Sequence, residues 1–133
     1  DCAKDFRELN RVYIPLDAFA ASNARVEELG ADRASPALLA SIRHVNALNG
    51  ILLAQSEPFP RLIENTRLAL EVSVIYAYAR RIVAMLWTRD PLSERVHLSK
   101  PQFARYGLAA VLMQSLRRIG RTSPARKPQD ARG

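Results

Sequence analysis

The chain has 133 residues and a formal net charge of +7, with 48% hydrophobic residues and only 5 glycines. That length suits one domain with a sizeable core, and that hydrophobic content excludes a wholly disordered chain. One cysteine and two histidines exclude an intrachain disulfide and argue against structural zinc, and the lone Cys2 fits a reducing compartment. The first stretch, 1 to about 9, is predicted to form the last turns of a helix. Pro15 cannot continue it and pushes Ile14 towards an extended conformation. A short helical piece follows over Leu16–Ser22, and another over Val26–Leu29, closed by Gly30.

Ser35-Pro36 is a strong helix start, with serine as N-cap and proline in the first turn. The helix it opens is predicted to run to about Ser56, with apolar residues recurring at three- and four-residue steps from Leu38 to Leu53. Pro58 and Pro60 end it. The most apolar segment runs from about Arg61 to Thr88 and covers most of a helix circumference, which predicts a helix buried on most sides. Asp90-Pro91 breaks it. A last helix is predicted from Pro101 to about Ile119, stopped by Gly120. Residues 121–133 are polar, basic and proline-containing, and are expected to be disordered. No internal repeat and no strand-like alternation occurs, so the fold class is all-α: three long helices with short ones between them.

The positive charge is unevenly spread. Arg117–Gly133 carries six basic residues and one acid, a net +5, and the body before it carries only +2. Such a tail could give salt-dependent attraction to nucleic acid or acidic membrane. No aromatic residues are interleaved with its charges, which argues against nucleic acid. There is no apolar leader at the start and no uninterrupted apolar run of about 18 residues, so neither a signal peptide nor a spanning helix is expected. The chain opens without methionine on the first residue of a motif, and reads as a fragment whose upstream part is absent.

That motif carries the chemistry. Asp1 and Asp5 are four residues apart, so on a helix they share one face with β-carbons about 6 Å apart. Two carboxylates that close call for a cation between them. Mg²⁺ is the usual choice where one or two carboxylates share it with substrate phosphates. Arg11 and Tyr13 follow where the helix gives way to loop. Arg11 could offer a fork of donors to phosphate oxygens or pair with Glu8. Tyr13 could serve as a phenol at the site or as a core aromatic beside Pro15. Lys4 and Arg7, off the Asp1/Asp5 face, are expected to be solvated.

Asp1-x-x-x-Asp5 followed by Arg11-Val12-Tyr13-Ile14-Pro15 resembles the second aspartate-rich motif of the squalene/phytoene synthase family, with a segment between Asp5 and Arg11 one residue longer than usual. A second resemblance lies further on: a tyrosine on a long apolar helix, an aspartate turn at Asp90, then Arg95-Val96-His97-Leu98-Ser99-Lys100. Tyr76 and Tyr78 both fit the tyrosine position, and Tyr78 is favoured on the register of Ile82 and Met85. The wording around Asp5–Tyr13 suggests a bacterial branch.

The resemblance covers about residues 1–105. It implies an isoprenoid-synthase-type helical fold and head-to-head condensation of two prenyl diphosphates, farnesyl or geranylgeranyl, to phytoene, squalene or hydroxysqualene through a cyclopropyl intermediate. It implies Asp1 and Asp5 as Mg²⁺ ligands, Arg11 and Arg95 on the diphosphate, and Tyr13 and Tyr78 as catalytic tyrosines. NADPH would join Mg²⁺ only in squalene-type chemistry. The location implied is cytoplasmic, with peripheral membrane contact where lipid substrates partition. A first aspartate motif and half the cavity would lie upstream, so this chain alone is expected to be inactive. The inner faces of the long helices, through Leu68, Val72, Ile75 and Ile82, would wall a cavity for prenyl tails, or equally form an ordinary bundle core. The alternative is a non-catalytic assembly or scaffold protein on the same fold.

Overall fold

The structure is a computed structural model that describes residues 2–122, with side chains described as far as Gly120. The expected basic tail beyond Thr122 and the N-terminal Asp1 lie outside the described residues. Six α-helices and one 3₁₀ turn make up the described chain, and no strand occurs among the described residues. They are α1 (Cys2–Leu9), α2 (Leu16–Ala21), the 3₁₀ turn Val26–Gly30, α3 (Pro36–Ser56), α4 (Phe59–Leu62), α5 (Thr66–Leu86) and α6 (Lys100–Thr122).

Local chemistry explains most of the boundaries. Asn10 takes φ 49°, a left-handed turn that asparagine tolerates, and the Arg11 N–H closes onto the Asp5 carbonyl at 3.1 Å to end α1. Ser35 accepts the Leu38 N–H at 3.0 Å and so caps α3. Its hydroxyl donates to Glu28, which also takes the Arg25 N–H at 2.8 Å. The Ser35 hydroxyl and that backbone N–H hold the Glu28 carboxyl below its ordinary value.

Several boundaries differ from expectation. The segment beginning near Arg61 is two helices, because Asn65 accepts the Leu68 N–H at 3.0 Å and starts α5 afresh. Pro58 and Pro60 do end α3, but both also open α4, where a first turn needs no N–H from proline. α6 runs through Gly120 to Thr122, and Gly30 does not close its turn with a positive φ. Gly30 instead gives room to Phe6, whose ring edge lies 3.3 Å from where a Cβ would stand.

α5 packs along α6 and α3, α2 lies on α3, and α1 lies on the 3₁₀ turn. The buried core is Phe19, Leu29, Ala34, Leu38 and Ile42, set around the N-terminal half of α3. Polar pins join the long helices. Asn46 donates to the Val83 carbonyl at 2.9 Å, and Gln114 to the Pro60 carbonyl at 3.0 Å. Arg118 wraps the α4–α5 break and donates to the Ile63 and Glu64 carbonyls and the Thr66 hydroxyl, so it satisfies the carbonyl that the end of α4 leaves unpaired at Ile63. Pro36–Leu62 is long and apolar enough to cross a membrane by length and composition, a run the sequence reading passed over because polar residues interrupt it. Ser41 and Asn46 on it are buried, while Leu48, Ile51 and Leu52 towards its C-terminal end are exposed.

Candidate functional site

The expected site residues hang on one scaffold. Cys2 and Phe6 of α1, Val12 and Ile14 of the segment after it, and Leu86 and Leu92 around the turn after α5 all pack on the same core cluster. From Arg11 to Ile14 burial alternates: Val12 and Ile14 are half-buried, and Arg11 and Tyr13 are exposed. Extended backbone sends successive side chains to opposite sides, so anchoring Val12 and Ile14 in the core turns Arg11 and Tyr13 outward. Tyr13 is 66% exposed, which removes the reading of it as a core aromatic.

Asp5 is half-buried on α1, beside the inward-facing Phe6. Its expected partner Asp1 lies outside the described residues. No group of three or more metal-ligating side chains occurs among the described residues. A Mg²⁺ ion that shares itself with phosphates needs only one or two protein carboxylates, so Asp5 is a fitting donor. Arg11 is not held by Glu8, which pairs with Lys4 at 3.9 Å. Arg7, expected in solvent, is instead a clamp. It donates to the Gly30 and Ala31 carbonyls at 3.0 and 2.9 Å and meets Asp32 at 3.1 Å, fixing α1 to the turn.

The turn carrying Arg95 is built on Asp90. Its carboxylate accepts the Leu92 N–H at 2.9 Å, the Ser93 hydroxyl at 2.7 Å and, across 56 residues of chain, the Ala34 N–H at 3.0 Å. Partial burial pushes this carboxyl up, but the Ser93 hydroxyl and the backbone N–H groups together outweigh it, and the net shift is downward. Arg89 donates to the Arg95 carbonyl at 2.7 Å and closes the turn. Glu94 accepts the Asp90 N–H at 2.8 Å, so it is tied back to the turn, and the Arg95 side chain is exposed. From the sequence Asp90 reads as a helix break and as the aspartate turn of the second resemblance, not as the acceptor that joins this turn to Ala34. The signal for its larger role is the serine three residues on, since Asp side chains bond the backbone and hydroxyls just ahead of them.

The two tyrosines separate as helix geometry requires. Tyr78 faces α6: its hydroxyl donates to the Phe103 carbonyl at 2.8 Å and its ring lies 3.9 Å from that of Phe103. Gly107 makes this approach feasible, because a Cβ there would sit 2.5 Å from the hydroxyl. Tyr76 lines a cleft between α5 and α6, with Arg80, Arg81 and Tyr106. The hydroxyl of Tyr78 is thus engaged inside the helix pair, and Tyr76 is the one on a cavity wall.

Leu68, Ile75 and Ile82 are 48%, 64% and 37% exposed, so they are not the bundle core of the described chain. Their seven-residue spacing puts them in one stripe along α5. An apolar groove of about 780 Å³ runs beside it, lined by Leu70, Val74, Ile75 and Val111.

A family model described as squalene/phytoene synthase matches residues 1–102. The chain is 47% identical over 128 residues to a hydroxysqualene synthase of Rhodopseudomonas palustris, covering 96% of this chain and 44% of that protein. It is 46% identical over 118 residues to a hydroxysqualene synthase of Sinorhizobium fredii (89% and 40%) and 40% identical over 111 residues to one of Zymomonas mobilis (84% and 37%). The chain therefore spans less than half the length of these bacterial relatives. No solved structure gives a significant match.

Proposed function

Because the chain belongs to the squalene/phytoene synthase family, we propose that it supplies one side of a site for head-to-head joining of two prenyl diphosphates, with hydroxysqualene as the product class. The observation that carries this is the common scaffold. α1 with Asp5, the outward Arg11 and Tyr13, and the turn that ends in Arg95 are all anchored on one core cluster.

The chemistry follows from charge. Loss of diphosphate leaves a carbocation and a leaving group with several negative charges. Asp5, with Asp1, would hold Mg²⁺, which when bound neutralises the leaving group. Arg11 and Arg95 offer guanidinium forks to its oxygens. Tyr13, exposed and beside Arg11, offers a hydroxyl to the same group. The apolar stripe through Leu68, Ile75 and Ile82 would shield prenyl tails from water. A hydroxylated product ends in capture of a cation by water, so this reading needs no hydride from NADPH. Contact with a membrane surface suits substrates that partition into lipid.

The test uses a protein carrying the full length of the relatives, supplied with farnesyl diphosphate and Mg²⁺. Diphosphate release is expected, and Asp5→Asn is expected to lower it at least about 100-fold. The described chain alone should release none. Wild-type turnover by the Asp5→Asn variant would overturn the reading, and a folded full-length protein with no turnover would favour a scaffold role.

A further inference from the structure

A second site stands apart from these residues. The cleft between α4, α5 and α6 has a volume of about 450 Å³ and is lined by Arg61, Arg80, Arg81 and Arg117, with Tyr76 and Tyr106 on its walls. Its single carboxylate is Glu57, which pairs with Arg61 and lies 3.7 Å from Arg117. Arg80 and Arg81 have no carboxylate partner among the described residues. Their guanidinium carbons stand 5.9 and 5.8 Å from the ring centres of Tyr76 and Tyr106. The Arg81 Nε–H is buried with no acceptor among the described residues. The nearby acid of α5, Glu71, is taken by Arg67 at 3.0 Å.

Four guanidiniums against one carboxylate in a concave space repel one another, a cost that an anion would relieve. Guanidinium forks match the paired oxygens of a phosphate. The same helices add a second property: Met113 of α6 lines the cleft, and it is exposed together with Leu116 on α6 and with Phe59 and Leu62 on α4. Neither Asp5 nor Arg95 lines the cleft. Glu57 lies 15 residues beyond Ile42 at the far end of α3, about 22 Å along a helix.

We propose that this cleft is an anion site for a phosphate or diphosphate ester group, gripped by Arg80 and Arg81 and supported by Arg61 and Arg117. The exposed apolar side chains on α4 and α6 suit a group still attached to a lipid, so an anionic lipid headgroup and free diphosphate are the two sources that an experiment must separate. The site does not depend on the catalytic reading above.

The experiment compares the full chain with its R80Q/R81Q and R80K/R81K variants, with helix content checked by circular dichroism. One arm measures flotation with vesicles of phosphatidylcholine, with and without phosphatidate. The other measures heat on titration with inorganic diphosphate at physiological salt. Every variant keeps the basic C-terminal tail, so differences report on the cleft. R80Q/R81Q is expected to lose at least about tenfold in affinity, or about 1.4 kcal/mol. R80K/R81K is expected to keep salt-sensitive attraction but lose most of that affinity, because lysine has no fork. Loss in the vesicle arm assigns the lipid source, and loss in the titration arm alone assigns soluble diphosphate. Equal binding by wild type and R80K/R81K in both arms overturns the guanidinium site. So does equal binding by a folded R80Q/R81Q.

Discussion

Removing the Asp90 carboxylate should loosen the joint between the end of α5 and the start of α3. In Asp90→Ala, the Ala34 and Leu92 N–H groups and the Ser93 hydroxyl lose their acceptor, at present 3.0, 2.9 and 2.7 Å away. A hydrogen bond to a charged group contributes about 1.5–3 kcal/mol net, and partial exposure here favours the low end. Water reaches the local pair more readily than the long-range one, so the whole loss is expected at about 2–4 kcal/mol. Asp90→Asn keeps one acceptor and the shape, and should lose about half as much. The pH dependence has a definite sign. The folded carboxyl titrates below its ordinary 3.8, so its contribution is present above that pH and is lost as pH falls through the lower folded value. Urea unfolding followed by circular dichroism, at neutral pH and at a series of acid values, measures both effects. Amide exchange at Ala34 reports the long-range bond alone. A loss under about 0.5 kcal/mol in Asp90→Ala would refute the reasoning. So would a gap between wild type and Asp90→Asn that persists undiminished in acid.

Other outcomes follow from the same packing. Gly107→Ala puts a Cβ against the engaged Tyr78 hydroxyl and should cost about 1–3 kcal/mol. Adding Tyr78→Phe removes that hydroxyl, so the double variant should be more stable than the sum of the single losses predicts, and additive losses would refute the contact. Asn46→Ala should cost about 1–3 kcal/mol by denaturation, because it removes the buried bond to the Val83 carbonyl. Asn46→Leu should cost less, since it fills the volume and also removes an Oδ1 that has no partner among the described residues.

Some of the candidate site was legible one residue at a time. Ser35-Pro36 opens α3, and its end at Ser56 follows from the prolines after it. The break at Asn65 went unseen because its capping oxygen competes with a strongly apolar run on both sides. Arg7 looked like a solvated cation because its acceptors, two carbonyls and a carboxylate, lie more than twenty residues away. Arg80 and Arg81 carry no motif or spacing that marks them in the sequence. Only the approach of α4 and α6 sets them beside Arg61 and Arg117.

By itself the sequence determined the all-α class, the start and end of α3 and the motif, because capping, proline stops and apolar period act within a few residues. It also placed Arg11 and Tyr13 just past a helix end, where alternation with Val12 and Ile14 sends them outward. Only the tertiary structure decided which tyrosine meets α6, which acid carries the turn before Arg95, and where four arginines converge. Those outcomes depend on the register and distance between helices, and pairings such as Asp90 with Ala34 or Gln114 with Pro60 join residues that no local rule relates.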